Sequence, residues 1–318
     1  MGVCGAERAG SPQILMSGDP IDSAPIIDVR NNGLGDVVVA CWIVHSALAI
    51  DRLVRVNTYR RRDAAVLFGV PAECLTFIEP VHSPLMPGLG DLEYRLANTT
   101  PISRFDAWCE SLSLPRIDPV RPPYLEAAAD GDWADRQWCT VDPTGEKTRV
   151  LIFPEAAWST RMWPQAYFID VANELASLGY AVATMAETQK AVEQMPCHWW
   201  GGFSVRQGAA MCKRAHLVVA NDSGPAHLAS VLGTRTIAIC GPTEPAVVFA
   251  HEPNVHAVRI ERDTLSCVGC HFSGNRGYRH ACDAGGCQAL MRLDPVTVAS
   301  QIRGALVSVR HSLAGSSL

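Results

Sequence analysis

The strongest chemical signal in this sequence is the segment at residues 221–227, which reads NDSGPAH. It follows a short apolar run, and Pro225 stands where proline suits the first turn of a helix. Backbone N–H groups that are free at a helix start bind phosphate oxygens, with help from the helix dipole. Gly224 lets a ligand approach the backbone, because no Cβ stands in the way. The segment therefore predicts an anion site, unless Asp222 or Ser223 serves only as a helix cap.

Two further loops are expected beside this segment. A predicted strand at 236–240 leads into Gly-Pro-Thr at 241–243, and a predicted strand at 149–153 leads into the loop at 154–164. The carboxyl ends of parallel strands face one crevice, which is where open α/β sheets bind ligands. The loop after the second strand carries two hydroxyls and one guanidinium, groups suited to a diphosphate: Ser159, Thr160 and Arg161.

A candidate general base stands near the N-terminus. A strand predicted at 25–30 leads through the turn at 31–36, NNGLGD, into an apolar helix predicted at 37–49. The carboxylate of Asp36 could take a proton from a substrate hydroxyl, which contributes on the order of 10²–10⁴-fold in rate. Its place before the helix fits a helix cap equally well. The residues alone leave both interpretations open.

Parallel sheets are needed to position these loops. A strand predicted at 52–57 completes a β-α-β unit, and strands alternate with helices again from residue 149 onward. This alternation predicts an α/β protein built from two doubly wound halves. The predicted elements after 153 are a helix at 165–178 ended by Gly179, a strand at 181–185, a helix at 206–214, a strand at 217–220, a helix at 225–232 and a last helix from 294 to about 309.

The predicted domain division follows from these elements. Prolines, aspartates and a glycine between 121 and 149 are typical of a connection between domains. The division has five parts: a loose leader at 1–24, an N-terminal domain at 25–140, a linker at 141–149, a second domain at 150–295, and a C-terminal helix and tail at 296–318.

The composition excludes several classes of protein. The 318-residue chain has a formal net charge of −5, which gives no bulk attraction to nucleic acid or to an anionic membrane face. The first 25 residues lack a secretory pattern, and the longest apolar stretch, at 37–50, is too short to span a bilayer. We therefore expect a cytoplasmic protein with no nucleic-acid partner and at most peripheral membrane contact. Its twelve cysteines are expected to be reduced, with one metal cluster as the candidate exception.

Four cysteines near the C-terminus are that candidate. Cys267, Cys270, Cys282 and Cys287 follow the pattern C-x2-C-x11-C-x4-C. Four thiolates at such spacing can enclose a structural zinc or iron ion tetrahedrally, and the closed shell leaves no position for a substrate. Free thiols packed in a loop, or one disulfide, are the alternatives.

Three motifs in this order resemble glycosyltransferase family 9, which holds the bacterial lipopolysaccharide heptosyltransferases. They are Gly-Asp-Val at 35–37, WSTRMWP at 158–164, and the segment at 221–227 followed by Gly-Pro-Thr at 241–243. The matches cover most of residues 26–310. The resemblance implies the GT-B architecture, with two Rossmann-like doubly wound domains facing a central cleft. The N-terminal domain would bind the acceptor, and the second domain would bind a nucleotide-diphosphate sugar donor.

The resemblance also implies an inverting transfer that needs no metal ion for catalysis. Asp36 would be the general base that takes the proton of the acceptor hydroxyl. The donor phosphates would be held by the polar groups of the middle motif: Ser159, Thr160 and Arg161. Arg161 stands where the family usually has lysine, so the charge is kept but a fork of donors replaces a point charge.

Further donor contacts are implied around the segment at 221–227. The helix start at Ser223 and Gly224 would stabilise the charge that grows on the leaving diphosphate. Asp222 and His227 would face the sugar or the phosphates, although a buried structural histidine is the alternative for His227. Glu187 could reach a ribose hydroxyl, or it could be a solvated surface acid.

The expected function is transfer of a sugar, above all heptose from ADP-heptose, to a hydroxyl of a glycan, lipopolysaccharide core, lipid-linked or protein acceptor. Acceptor contacts are expected within 57–110.

Glu155 stands where the family commonly has glycine, and its carboxylate would repel phosphate unless it points away or binds a sugar hydroxyl. A catalytically inactive sugar-nucleotide-binding or assembly protein is therefore the alternative, and a nucleotide-sugar epimerase is a third. Autotransporter heptosyltransferases, within the same family, carry a four-cysteine iron finger with different spacing.

Overall fold

The computed structural model describes residues 24–29, 33–58, 62–76, 102–272, 282 and 284–315. The predicted leader lies outside the described residues except for Ala24. Much of the expected acceptor region at 57–110 also lies outside them, as does the stretch at 273–281 between the cysteines.

Two parallel sheets organise the chain. The first has the order β1-β2-β3, with β1 (Ile26–Asp28), β2 (Arg55–Asn57) and β3 (Leu75–Thr76). The second has the order β6-β5-β4-β7-β8-β9, and all of its neighbouring strands are parallel. Its strands are β4 (Arg149–Phe153), β5 (Ala181–Ala186), β6 (His198–Trp200), β7 (Leu217–Asn221), β8 (Thr236–Ile239) and β9 (Val255–Val258). This is the strand order of a doubly wound nucleotide-binding sheet, so the predicted α/β class is confirmed.

The described residues form ten α-helices. In chain order they are α1 (Leu34–Leu48), α2 (Arg62–Leu67), α3 (Arg104–Ser111), α4 (Ala128–Val141), α5 (Gln165–Ser177), α6 (Val205–Arg214), α7 (Gly224–Val231), α8 (Pro245–Val248), α9 (Gln288–Arg292) and α10 (Pro295–Gly315). Both faces of the larger sheet are buried, one against α5 and α10 and the other towards α1 and α6. Within the described ranges, none of these helices is both long and apolar enough to cross a membrane.

The order in which the chain adds strands to the larger sheet reverses between β4 and β7, while the strands stay parallel. In open α/β sheets this reversal separates the loops on either side and opens a crevice at the carboxyl ends of the two strands. Asn221, fully buried at the end of β7, ties the two loops together. Its side-chain amide donates to the Pro154 carbonyl at 2.8 Å, and its oxygen accepts from the Trp163 amide at 2.9 Å. These two hydrogen bonds therefore fix the loops at the bottom of the crevice relative to each other.

Helix α1 is apolar on all sides and accordingly lies buried between other elements. It packs against α7, a contact that joins the N-terminal part to the larger sheet. The helix begins at Leu34 with Gly33 in the cap position, three residues before the predicted start. The cap interpretation of Asp36 is thus wrong: Asp36 lies in the first turn, where the helix dipole favours a carboxylate.

The stretch from 121 to 149 also differs from the expectation of a plain connection. It contains helix α4, whose Trp138 is fully buried and donates its ring N–H to the Met211 carbonyl of α6 at 3.3 Å. Aspartates and Gly131 lower the intrinsic helix propensity of this segment, so the sequence favoured a turn. Packing of Trp138 and Ala134 against the rest of the molecule supplies what the propensity lacks.

The other predicted elements agree with the structure to within a few residues. Strand β4 spans the predicted residues, and α5 ends at Ser177, just before Gly179 at φ +85°. That left-handed conformation is the reason glycine stops the helix there. The predicted last helix is longer than expected, and Asp294 caps its start by accepting from the Thr297 amide at 2.9 Å.

Candidate functional site

A cavity of about 890 Å³ opens at the carboxyl ends of β4, β5 and β7 and reaches the start of α1. Its position is the crevice that a doubly wound sheet provides for a ligand. Seven of the residues singled out from the sequence lie on its wall: Asp36, Arg161, Glu187, Asp222, Ser223, Gly224 and His227. Arg104, Glu155 and Trp158 line it as well.

Two helix starts touch at this cavity. A Cβ placed on Gly224 at the start of α7 would come within 2.9 Å of the Leu34 Cβ and 3.4 Å of the Gly35 amide nitrogen. Glycine is therefore required at 224 for the helices to approach this closely. Neither start is capped by its own side chain, because Gly33 has none and Ser223 makes no cap bond. Pro225 has no amide hydrogen and the Ala226 amide donates to the Ser223 carbonyl at 3.0 Å, so α7 offers an anion chiefly its Gly224 amide, beside the first amides of α1.

Asp36 carries the carboxylate on the α1 side. Its side chain is 29% exposed, and Oδ1 accepts from Nη1 of Arg104 at 3.3 Å. Arg104 begins α3 and is itself buried. The arrangement leaves Asp36 open to the cavity while one guanidinium fixes the direction of its carboxylate. A partly exposed, oriented carboxylate is suited to proton transfer with a bound hydroxyl.

Arg161 supplies positive charge to the cavity from the loop that follows β4. Its guanidinium lies 4.5 Å from the ring centre of Trp158, and its Nη2 is 3.4 Å from Nε2 of His271. Its Nη1 lies 3.7 Å from Oδ2 of Asp222. Stacking and ion pairing hold the planar fork in one orientation, as a diphosphate clamp requires.

Asp222 is the second acid of the cavity and is almost fully buried. Burial raises the pKa of its carboxyl, but the neighbouring charges, chiefly that of Arg161, outweigh burial and hold the pKa below its usual value. Asp222 is thus an anion that keeps Arg161 in place. Its role is not helix capping, since α7 has no side-chain cap.

Glu155 does not project a free charge at the cavity. Its Oε2 accepts from the backbone amides of Glu187, at 2.5 Å, and Thr188, at 3.3 Å. Its Oε1 accepts from the Thr188 hydroxyl at 2.5 Å. The carboxylate therefore ties the loop after β4 to the loop after β5. These contacts turn both carboxylate oxygens towards the loop after β5, which weakens the argument that Glu155 makes the protein inactive.

The remaining predicted residues are placed unequally. Ser159 and Thr160 form a 3₁₀ turn with Arg161, but of these three described residues only Arg161 is on the cavity wall. Glu187 is exposed at the cavity edge. His227 is 3% exposed and donates from Nδ1 to Oε1 of Glu252 at 2.5 Å. The buried-histidine alternative thus describes its environment, although its ring still borders the cavity.

Sequence reasoning missed Arg104, His271 and Glu252. No short motif marks them, because each reaches the site from an element distant in the chain. Arg104 comes from α3, His271 from the cysteine segment and Glu252 from the loop before β9. The feature that these residues share is burial of a polar or charged side chain beside a partner, and burial is not visible in the sequence.

The four cysteines are free thiols in the structure. Burial, followed by the proximity of Cys270 and Cys267, raises the pKa of the Cys287 thiol. In the part of the chain that the structure describes, no three His, Cys, Asp or Glu side chains are grouped to hold a metal ion. The described positions of Cys267, Cys270, Cys282 and Cys287 thus do not form a ligand shell, and the zinc or iron site stays a prediction.

Comparison with known proteins points to one family. A family model described as glycosyltransferase family 9 (heptosyltransferase) matches residues 122–273. Lipopolysaccharide heptosyltransferase 1 of Pseudomonas aeruginosa is 27% identical over an alignment of 205 residues, which covers 58% of this chain and 55% of that protein. The chain spans about half the length of the curated relatives it matches. The family match includes the loops at 154–164 and 221–243 but not Asp36.

Solved structures show the same fold over nearly the whole chain. A glycosyltransferase family 9 protein of Veillonella parvula has a TM-score of 0.64 and 15% identity, covering 89% of this chain and 96% of that one. The dodecameric iron-containing heptosyltransferase TibC of E. coli, in complex with ADP-D-β-D-heptose, has a TM-score of 0.63 and 16% identity, covering 90% and 77%. Together these findings confirm the family 9 resemblance and the GT-B fold.

Proposed function

Because this chain is a heptosyltransferase-like relative of glycosyltransferase family 9, we propose that it is an inverting, metal-independent glycosyltransferase. It moves a sugar from a nucleotide-diphosphate donor to a hydroxyl of a glycan, lipopolysaccharide core or protein acceptor. Heptose from ADP-heptose is the donor favoured by the ligand of the TibC structure. One observation carries the proposal: two uncapped helix starts meet at a single cavity, with Asp36 in one and Arg161 beside the other.

Donor binding falls to the larger sheet. When the bond between the anomeric carbon and the diphosphate oxygen breaks, the electron pair and the growing negative charge go to the diphosphate. In this proposal the Gly224 amide at the start of α7 and the Arg161 guanidinium, which both line the cavity, stabilise this charge. They supply the positive charge that a metal ion would otherwise contribute.

Acceptor activation falls to the start of α1. The acceptor hydroxyl gives its proton to Asp36, and its oxygen forms the new bond to the anomeric carbon from the face opposite the leaving diphosphate. One displacement of this kind inverts the configuration. Arg104 directs the Asp36 carboxylate by the 3.3 Å contact to Oδ1. A base placed this way contributes on the order of 10²–10⁴-fold in rate.

The remaining assignments are part of the same proposal. Arg161 holds the phosphates, and Ser159 and Thr160, which lie off the cavity wall, support it from the same 3₁₀ turn. Asp222 and His227 border the sugar, and Glu187 meets the ribose. The four cysteines take no part in catalysis. Their zinc or iron, where present, would hold the segment at 267–287, and the site of action is the cytoplasm.

Binding and turnover test the proposal separately. Calorimetry with ADP, UDP and GDP should show binding, with preference for ADP, and Arg161→Ala should weaken it. Arg206→Ala is the matched control, because Arg206 pairs with Asp130 at 2.9 Å outside the cavity wall and should leave affinity unchanged. Wild-type affinity in Arg161→Ala, or no nucleotide binding in the wild type, would remove the donor site.

Turnover requires a donor and an acceptor panel. Incubation with ADP-heptose and candidate acceptors should release ADP and give a product of inverted anomeric configuration by NMR. Nucleotide binding without transfer to any acceptor would favour the inactive binding protein. Conversion of the donor sugar without any acceptor would instead reveal an epimerase.

A further inference from the structure

Glu252 is a buried acid that no sequence motif marks. It is 2% exposed and lies in the loop between α8 and β9. Its Oε1 accepts from Nδ1 of His227 at 2.5 Å and lies 3.4 Å from Nε2 of His251, which is also buried. The hydrogen bond from His227 holds one carboxylate oxygen, whereas His251 packs against that oxygen without a hydrogen bond within the described residues.

The His227 ring contacts the backbone of the residue before Asp36. A Cβ placed on Gly35 would come within 2.6 Å of Cδ2 of His227, so the ring fills the space that a side chain would otherwise occupy. Gly35 is the residue before Asp36. Any tilt of the His227 ring would therefore press on, or release, the first turn of α1.

The His251 ring contacts the residue next to Arg104, the partner of Asp36. His251 stacks on Phe105, with ring centres 5.4 Å apart, and meets Trp42 edge-on at 5.7 Å. Phe105 follows Arg104, whose guanidinium holds the Asp36 carboxylate. Burial, the main cause, lowers the pKa of His251 to about 4, so the ring in this apolar sandwich is neutral at physiological pH.

We propose that Glu252 is a positioning residue that fixes Asp36 relative to the start of α7, acting through His227 on one side and His251 on the other. This rests on the proposed function, in which Asp36 is the base and α7 binds the donor. Both connections cross from the larger sheet to the N-terminal elements α1 and α3. Glu252 thereby sets the distance between the base and the donor, and a shift of about 1 Å in such geometry costs up to 10²-fold in rate.

The hydrogen bond predicts the state of the His227 ring. Since the Glu252 carboxylate accepts from Nδ1, the neutral ring carries its hydrogen on Nδ1 and leaves Nε2 bare. Nitrogen-15 NMR of histidine-labelled protein should show this form in the wild type and in Glu252→Gln, whose amide oxygen still accepts. Glu252→Leu should shift the hydrogen to Nε2. A wild-type His227 ring that carries its only hydrogen on Nε2 would overturn the proposal whether or not the protein is a transferase.

Kinetics test the consequence for catalysis. Glu252→Leu should lower kcat about 10–100-fold, the usual cost of losing a supporting hydrogen bond. Its affinity for ADP should stay within about twofold, because Arg161 and the Gly224 amide are untouched. Glu252→Gln should recover most of kcat. If Glu252→Leu does not fold, His251→Leu replaces it, with a kcat loss of about tenfold.

Asp142→Asn is the matched control for burial. Asp142 is equally buried, accepts from the Lys147 amide and contacts Arg149, and is not among the described residues that line the cavity. It should lower stability without changing kcat. An equal kcat loss in Asp142→Asn, or wild-type kcat in Glu252→Leu, would show that Glu252 is only structural. Absence of transfer by the wild type would instead count against the proposed function and leave the NMR result to decide the hydrogen bond.

Discussion

Helices α1 and α7 start side by side at one cavity, and each start is accompanied by an aspartate in a different environment. Asp36, in the first turn of α1, is 29% exposed and pairs with Arg104. Asp222, just before α7, is 1% exposed, and its pKa lies below the usual value because neighbouring charges, chiefly Arg161, outweigh burial. An exposed carboxylate can exchange a proton with a substrate, whereas a buried, paired one can only hold its partner in place. The same residue type thus serves reaction on one side and positioning on the other.

The largest expected effect comes from replacing the more exposed of the two aspartates, Asp36. Asp36→Asn should lower kcat on the order of 10²–10⁴-fold, because the amide cannot take the acceptor proton. ADP affinity should stay near wild type, whereas the melting temperature should fall, because the buried Arg104 guanidinium loses the charge of its carboxylate partner. Steady-state kinetics with saturating donor, and calorimetry with ADP, measure the two quantities. Unchanged turnover would show that Asp36 is not the base.

The second largest effect is expected from removing Arg161, the partner of the buried Asp222. Arg161→Ala should weaken ADP binding about 10–100-fold, the loss expected for a charge-assisted contact to phosphate of about 1.5–3 kcal/mol. The variant should also be less stable, because the buried Asp222 carboxylate loses the charge that compensates it. Arg206→Ala, which breaks the surface pair with Asp130, serves as control for the loss of an arginine. Tighter binding or equal stability would contradict the pairing of Arg161 with Asp222.

The third effect separates the two helix starts. Gly224→Ala places a methyl group 2.9 Å from the Leu34 Cβ, so α1 and α7 must move apart. Overpacking of this kind costs about 1–3 kcal/mol in stability, and both kcat and ADP affinity should fall because both starts shift. Gly304→Ala is the control, since its Cβ would meet nothing within 4 Å in helix α10. That change should stabilise the protein by about 0.5–1 kcal/mol.

The sequence predicted the α7 side of the site better than the α1 side. The segment at 221–227 contains its own strand end, turn and helix start, so local rules were enough to place it. Helix α1 is apolar except for Asp36, His45 and Ser46, and with no side-chain cap at Gly33 nothing in the sequence marked its first residue. The start of α1 was therefore predicted three residues late, and a cap position that Asp36 does not occupy stayed open as one of its two interpretations.

The parts that could not be predicted depend on tertiary packing. Helix α4 has weak local propensity and exists because Trp138 is buried against α6. Glu155 looked like a source of repulsion until its contacts to the Glu187 and Thr188 amides were known. Glu252 lies 25 residues from His227 in the chain, a separation at which sequence patterns carry no information about contact.

The smallest expected effect extends the contrast between exposed and buried groups to pH. His251 titrates near pH 6.5 in the unfolded chain, but burial, the largest cause, lowers its pKa to about 4 in the folded protein. Glu252 and Asp106 raise this pKa, while His227 and Arg104 lower it further. Between these two values the unfolded chain binds a proton that the folded ring does not. Stability from this group is therefore present above about pH 6.5 and is lost as the pH falls towards 4.

The loss should reach about 1 kcal/mol at pH 5.5 and roughly 3 kcal/mol near pH 4. Denaturant unfolding of the wild type and of His251→Phe at several pH values measures it, because phenylalanine keeps a ring beside Phe105 and cannot titrate. All other histidines are common to both proteins, so the difference between their pH profiles isolates His251. Parallel profiles would mean that the ring is open to water in solution. The sandwich that carries the contact from Glu252 to Arg104 would then be too loose to position Asp36.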